Sequence, residues 1–242
     1  MRRCTDLRAV GLSLVAAPRA DVAAIVVGGG GGERLGGVSK PDLMLGGVRL
    51  IDRVCGVLME ACGAGCVAVV PPSVRVPDGV RRTLEDPPSG GPLAGIDAGL
   101  RALDVGDDVL VVIVSVDAPG VGAFLPALLE PALGEGSDGR IVRGGDPEPF
   151  DQYLMGVYRV GALRRVLDEA VASLGSVRGV GVRRVLRSLV LERVDAGAAA
   201  CRDVDTAEDV AWWEARFVCA LPRENADYDG RSGASRRGVI SQ

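Results

Sequence analysis

The sequence predicts a three-layer α/β fold with a mostly parallel central sheet. Three observations predict it: strand-like and helix-like patterns alternate along most of the chain, residues 22–27 form an apolar run that stops at glycines, and residues 109–116 are the most apolar strand-like stretch. Alternation of this kind builds parallel strands covered by helices on both faces.

Residues 22–27 (VAAIVV) run into Gly28 to Gly32, so a buried strand ends at a tight loop. Within 49–61, Ile51, Val54, Cys55 and Leu58 recur at the spacing of one helical face. A strand at 67–70 is closed by Pro71 and Pro72, residues 85–92 form a turn-rich loop, and a helix continues from that loop through Leu103. The strand at 109–116 ends at Asp117-Ala118-Pro119 and, being apolar throughout, is predicted to be a central parallel strand. Strand-like 153–159 precedes a helix over 161–174, where Leu163, Val166, Leu167, Ala170, Val171 and Leu174 form one stripe. A strand at 189–194 and a last helix from near Thr206 complete the pattern, with Thr206-Ala207-Glu208-Asp209 offering a hydroxyl cap and first-turn carboxylates.

With 242 residues the chain suits one such domain, placed at 21–220 between an N-terminal extension (1–20) and a flexible C-terminal tail (221–242). Met1-Arg2-Arg3 and the apolar residues 9–17 outline a secretory signal, but Asp6 and the short apolar stretch depart from that pattern, so a cytoplasmic location is expected. No segment is apolar for the ~18 residues that a membrane span requires. A hydrophobic fraction of 48% with 25% charged residues excludes a wholly disordered or fibrous chain. The net charge of -4 provides no basic field to attract nucleic acid to the whole surface.

There is no histidine, which removes Ser-His-Asp and Cys-His triads, histidine-ligated zinc and histidine general bases. The six cysteines contain no Cys-x-x-Cys pair and read as reduced and structural. Of the 28 basic residues all but Lys40 are arginine. In a chain that favours arginine this strongly, the one lysine marks a position needing a compact ammonium rather than a planar fork.

Glycines directly after the first strand expose backbone amides as an anion nest, at the sheet edge where α/β folds bind ligands. In a glycine-rich chain such a run can also be a plain flexible loop; Arg34 and Lys40 close behind it favour phosphate binding. A P-loop is excluded because Ser39 precedes Lys40 and Pro41 follows it. A GxGxxG fingerprint fails because the frames from Gly28, Gly29 and Gly30 meet Glu33, Arg34 and Leu35 at the sixth position. Asp117 ends the buried strand at the same edge, where a carboxylate needs a cation or donors. Magnesium, which takes carboxylate and phosphate oxygens together, meets that need; the alternative is an N-cap for the following helix. Phosphates, a metal and cations without a histidine base describe phosphoryl or nucleotidyl transfer.

The first loop resembles the LAGG-x-x-x-R-x-G-G-x-x-K signature of molybdenum cofactor guanylyltransferases, with Val27-Gly28-Gly29-Gly30, then Arg34, Gly36, Gly37 and Lys40. The resemblance continues through Glu85-Asp86 to Gly91-Pro92-Leu93-Ala94-Gly95, Asp117-Ala118-Pro119, Gln152 to Arg159, and Asp203-Val204-Asp205-Thr206 to Glu208-Asp209, covering roughly residues 22–218. It implies a Rossmann-like nucleotidyltransferase fold and transfer of GMP from magnesium-bound GTP to the terminal phosphate of molybdopterin, with release of pyrophosphate. It also implies site roles. Val27 and Gly28 to Gly30 would meet base and ribose; Arg34 and Lys40 would hold the triphosphate; Asp86 and Gly91 would sit by the nucleotide; Asp117 would bind Mg2+; Asp203 and Asp205 would lie near the acceptor or a second metal. Partners implied are small-molecule substrates and transient contacts with other molybdenum cofactor proteins, for a monomer or weak homo-oligomer.

The sequence departs from the family pattern at several points. Ser39 replaces the usual acid before the lysine, Gly28 replaces the alanine of LAGG, the asparagine often found after the second strand is missing near Val70-Pro71, and Ala207 stands where proline is common. Gly29 and Gly30, where CTP-using sister enzymes typically carry LAAG, leave room for a purine and favour GTP over CTP. A CTP-dependent or other small-acceptor transferase, and an inactive nucleotide-binding module, are the competing readings. Trp212-Trp213 reads as core, Arg183, Arg184 and Arg187 as a solvated helix face, and Cys201 as structural.

Overall fold

Strand β1 (Val22–Val27) is buried along its whole length and shows why three layers form. Its side chains alternate between two separate cores. Val22, Ala24 and Val26 belong to one core and Ala23, Ile25 and Val27 to the other. In the computed structural model, which describes residues 17–28 and 39–220, β1 lies inside a seven-stranded sheet. After a 3-10 turn (Lys40–Asp42) and a small hairpin of β2 (Met44–Leu45) and β3 (Val48–Arg49), the chain continues through α1 (Leu50–Ala61), β4 (Cys66–Val69), β5 (Val80–Thr83), α2 (Pro92–Leu103) and β6 (Leu110–Ser115). It ends with α3 (Val121–Leu129), β7 (Gly139–Gly144), β8 (Phe150–Arg159), α4 (Val160–Leu174), α5 (Val182–Leu186), β9 (Leu191–Asp195) and α6 (Ala207–Ala220).

The strand order is β5-β4-β1-β6-β8-β7-β9. Pairs β5/β4, β4/β1, β1/β6 and β7/β9 are parallel, and only β8 runs against its neighbours. The sheet is therefore mostly parallel, as predicted. The strand at 109–116 differs from expectation on one side: β6 is parallel to β1 but antiparallel to β8. Its apolar character follows from cover on both faces and does not report strand direction.

Side chains of α1, α3 and α6, among them Ile51, Phe124 and Trp213, fill one core; α2 and α4 fill the other with Leu93, Ile96, Leu163 and Val166. Each fully buried side chain of this size contributes about 1.5–3 kcal/mol of hydrophobic stabilisation. Besides the short turn at Lys40–Asp42 and the β2/β3 hairpin, four further elements lie outside the sequence prediction. The helix α3 is masked by Pro126 inside it, and β5 by two exposed arginines in the middle of a short strand. The strand β7 contains Arg140, which is 3% exposed and held by Glu192 at 2.5 Å and by the carbonyls of Leu128, Pro131 and Ala132. The short α5 falls in the segment read as a solvated arginine face: Val185 and Leu186 are buried and the arginines exposed.

One irregularity shapes the site. Between β7 and β8 the register shifts, with Ile141 opposite Gly156 but Val142 opposite Gln152. Tyr153, Leu154 and Met155 are thereby released from pairing with β7, and they line a cleft at the carboxyl edge of β6. Among the described residues no helix is long and apolar enough to cross a membrane.

Candidate active site

Lys40 is delivered by the turn that follows the glycine loop. Pro41 is buried and pre-sets the backbone, Ser39 Oγ donates to Asp42 at 2.7 Å, and the Leu43 amide closes onto the Lys40 carbonyl at 3.1 Å. The ammonium projects between two carboxylates. Nζ lies 2.7 Å from Asp117 and 2.5 Å from Asp205. Burial disfavours the charged lysine, but the two carboxylate hydrogen bonds outweigh it and raise its pKa above the ordinary value.

Asp117 sits where the apolar strand β6 ends. The Val116 amide still bonds the Val27 carbonyl at 2.9 Å, so Asp117 stands beside the end of β1. Its second oxygen accepts a short hydrogen bond from Ser115 Oγ. The N-cap alternative does not hold, since Gly120 caps α3 and no side chain satisfies that helix start. Asp117 is instead committed to cation and hydroxyl.

The segment carrying Asp203 and Asp205 is held from both sides. The Val204 amide donates to the Asp117 carbonyl at 2.9 Å, tying the segment to the end of β6. Behind it, Asp209 and Thr206 form the predicted cap: the Asp209 amide donates to Thr206 Oγ1 at 3.2 Å, and the Thr206 amide to Asp209 at 2.9 Å. Trp213 is buried and donates its indole N–H to the Arg202 carbonyl at 3.1 Å, so it is a core residue that also anchors this segment.

Asp203 is half-buried, and its desolvation, reinforced by Asp117 and Asp205, pushes its carboxyl up to about 7; Lys40 opposes the shift and Asp209 adds slightly to it. A carboxyl of raised pKa holds its proton more tightly folded than unfolded. The resulting stability is full below its ordinary value of 3.8 and is lost as the pH rises towards 7. Asp203→Asn is therefore expected to gain on the wild type as pH rises, by on the order of 1–2 kcal/mol near pH 8. Urea midpoints of both proteins across that range check this, and parallel profiles would refute the assignment.

The structure thus brings together Lys40, Asp117, Asp203 and Asp205, with Val27 and Gly28 at the adjoining end of β1. Gly29, Gly30 and Arg34 lie outside the described residues. Gly28 explains two of the sequence departures together. A Cβ there would lie 2.6 Å from Val70 Cγ1, so the absence of alanine at position 28 and the presence of valine at position 70 occupy one space.

Asp86 is placed apart from this cluster. It lines a second cleft of about 650 Å³ with Arg101 and Arg178, and among the described residues no hydrogen bond or ion pair joins it to Lys40 or Asp117. Gly91 caps α2 at φ +85, a backbone conformation suited to glycine, just before Pro92. Arg178 holds the same loop by donating to the carbonyls of Pro87 and Pro88.

Ser115 was not among the residues singled out from the sequence. Its signal was available, because residues two apart on a strand end share a face, which puts its hydroxyl on the Asp117 side. Beside this cluster opens a cleft of about 760 Å³ lined by Ser115, Asp117 and Asp203 and by residues of β7, β8, α5 and β9.

A parallel sheet with a lysine and several carboxylates at its carboxyl edge occurs in more than one family, and a comparison of the whole chain distinguishes among them. Residues 24–194 match the family described as the MobA-like NTP transferase domain. The chain belongs to that family. It is 34% identical over 129 residues to the molybdenum cofactor guanylyltransferase of Cereibacter sphaeroides, a match covering 52% of this chain and 64% of that protein. The chain thus spans less than two thirds of the length of the curated relatives it matches. Among solved structures it resembles molybdopterin-guanine dinucleotide biosynthesis protein A from Archaeoglobus fulgidus, with a TM-score of 0.57 and 20% identity over 82% of this chain and 98% of that one. It also resembles 2-C-methyl-D-erythritol 4-phosphate cytidylyltransferase from Francisella tularensis, with a TM-score of 0.66 and 13% identity over 81% and 99% of the two chains. At these identities both show the nucleotidyltransferase fold, in agreement with the mostly parallel seven-stranded sheet and flanking helices described above.

Proposed function

We propose that this protein is a molybdenum cofactor guanylyltransferase, which transfers GMP from magnesium-bound GTP to the terminal phosphate of molybdopterin and releases pyrophosphate. The observation that carries the reading is the Lys40 ammonium held between Asp117 and Asp205 at the carboxyl edge of the sheet, twelve residues after Gly28 in the sequence. The names of the curated relatives support the same substrates.

The residues present fit a magnesium ion. Asp117, Asp203 and Asp205 supply hard oxygen donors, and the ammonium between two of them is consistent with a site that favours positive charge. Among the described residues, no group of three or more acidic, cysteine or histidine side chains is arranged to enclose a metal by itself. Magnesium suits that arrangement, since it uses one or two carboxylates and completes its shell with substrate phosphates and water. Asp117 with Asp203 would hold it, and when bound it would neutralise triphosphate charge.

In the transfer, an oxygen of the acceptor phosphate forms a bond to the α-phosphorus, and the bond to the bridging oxygen breaks, so that pyrophosphate leaves with the electron pair. The attacking oxygen is already anionic, which suits a chain without histidine. Lys40, and Arg34 by the family resemblance, would offset the charge that accumulates on the departing pyrophosphate. The glycines at 28–30 would allow the base and ribose to approach the backbone.

Calorimetric titration with GTP and with CTP, each with and without magnesium, tests the reading. Tight, magnesium-dependent GTP binding with weak CTP binding is expected. The opposite preference would move the protein to a cytidylyltransferase, and binding of neither would leave a nucleotidyltransferase fold without that activity.

A further inference from the structure

The cleft beside the Lys40 cluster has a basic wall built by β7, β8, α5 and β9, on the side of the sheet away from β4 and β5. Arg143, Arg183 and Arg193 stand on it around a single acidic residue, Asp151. Arg193 is committed, since its Nε and Nη2 reach the Asp151 carboxylate at 3.0 and 2.9 Å. Arg143 and Arg183 are not. Among the described residues neither guanidinium has a hydrogen-bond or ion-pair partner; both act on Asp151 only through space, adding to the Arg193 hydrogen bond that chiefly lowers its pKa. Both are exposed to the cleft, on different elements, β7 and α5.

Next to them Phe150 is 56% exposed, an unusual state for a phenylalanine, and its ring lies over Gly145, where a Cβ would meet it at 2.7 Å. A bare aromatic face beside unpaired guanidinium groups suits a planar ring that carries an anion. The electrostatics give a second reason. The same cleft contains Asp117 and Asp203, which repel an entering phosphate, so an anionic acceptor needs cations on the opposite wall to offset them.

We propose that this wall is the acceptor subsite: Arg143 and Arg183 hold the phosphate of a planar, ring-bearing phosphomonoester while Phe150 lies against its ring. The proposal rests on the transfer reaction put forward above and names the residues that select its acceptor. The two guanidinium groups take phosphate oxygens that do not attack, leaving another free to face the nucleotide.

Pyrophosphate release at saturating magnesium-GTP, with molybdopterin varied, tests it on Arg143→Ala/Arg183→Ala, on Phe150→Leu, and on Arg184→Ala as a control that removes the same charge from α5 outside the cleft. The double variant is expected to raise the acceptor KM by about tenfold or more, as the loss of charge-assisted bonds dictates, with kcat within about twofold and calorimetric GTP affinity unchanged. Phe150→Leu should raise the same KM by a smaller factor, and Arg184→Ala should not move it. An unchanged KM in the double variant of an active enzyme overturns the subsite alone, as does an equal rise in Arg184→Ala, which would reduce the effect to net charge. A wild-type protein that binds GTP but releases no pyrophosphate with molybdopterin overturns the transfer reaction and the subsite together.

Discussion

Asp117→Asn is expected to leave the protein folded and to lower magnesium-dependent pyrophosphate release by about a thousandfold, in the range found when a group that stabilises developing charge is removed. The fold survives because asparagine is isosteric and the contact that closes the site uses the Asp117 main chain, whose carbonyl accepts the Val204 amide. The lost charge is what matters. Lys40 keeps only Asp205, and Asp203 loses the neighbour that most strongly adds to the effect of its burial, so the paired carboxylates that would receive magnesium become one. Pyrophosphate release and thermal unfolding of the same preparation check both halves. An unchanged rate would remove Asp117 from the metal site, whatever the unfolding temperature.

The second large effect is expected at Lys40. Replacing it with arginine keeps the charge but should lower kcat/KM by about a hundredfold. The ammonium serves two carboxylates from one point, at 2.7 and 2.5 Å, in a position where the lysine side chain is only 16% exposed. A guanidinium is wider and planar; it satisfies one carboxylate through its fork and cannot place its charge at the same point for the other. Its backbone position leaves little freedom to compensate, since Pro41 is buried next to it. Steady-state kinetics on Lys40→Arg, with GTP affinity measured separately, give the answer, and wild-type rates would mean that the solitary lysine carries no special role.

Much of this site could be read from the chain because its parts announce themselves locally. β1 was predicted at its observed limits, since a β-branched run stopped by glycines leaves little choice. Asp117 was found because a charge at the end of the most apolar strand is costly without a partner. The cap at 206–209 was legible locally, whereas Asp203 and Asp205 entered only through the family resemblance. What could not be read were features paid for at a distance: Arg140 inside β7 is acceptable only because Glu192 and three carbonyls meet it, and Pro126 sits inside α3 without revealing that helix. Arg143, Arg183 and Phe150 are ordinary surface residues in sequence, and only their arrangement around one cleft distinguishes them.

The sequence by itself determined the kind of chemistry available, through the absence of histidine, the single lysine and the glycine run, and it determined that the strands at 22–27 and 109–116 are buried. Only the tertiary structure decided that Lys40 meets Asp117, 77 residues away, and Asp205, 165 residues away. Spacing and periodicity act over a turn or a strand, whereas that meeting depends on the sheet order, on the Val204 to Asp117 bond and on the Trp213 anchor closing together.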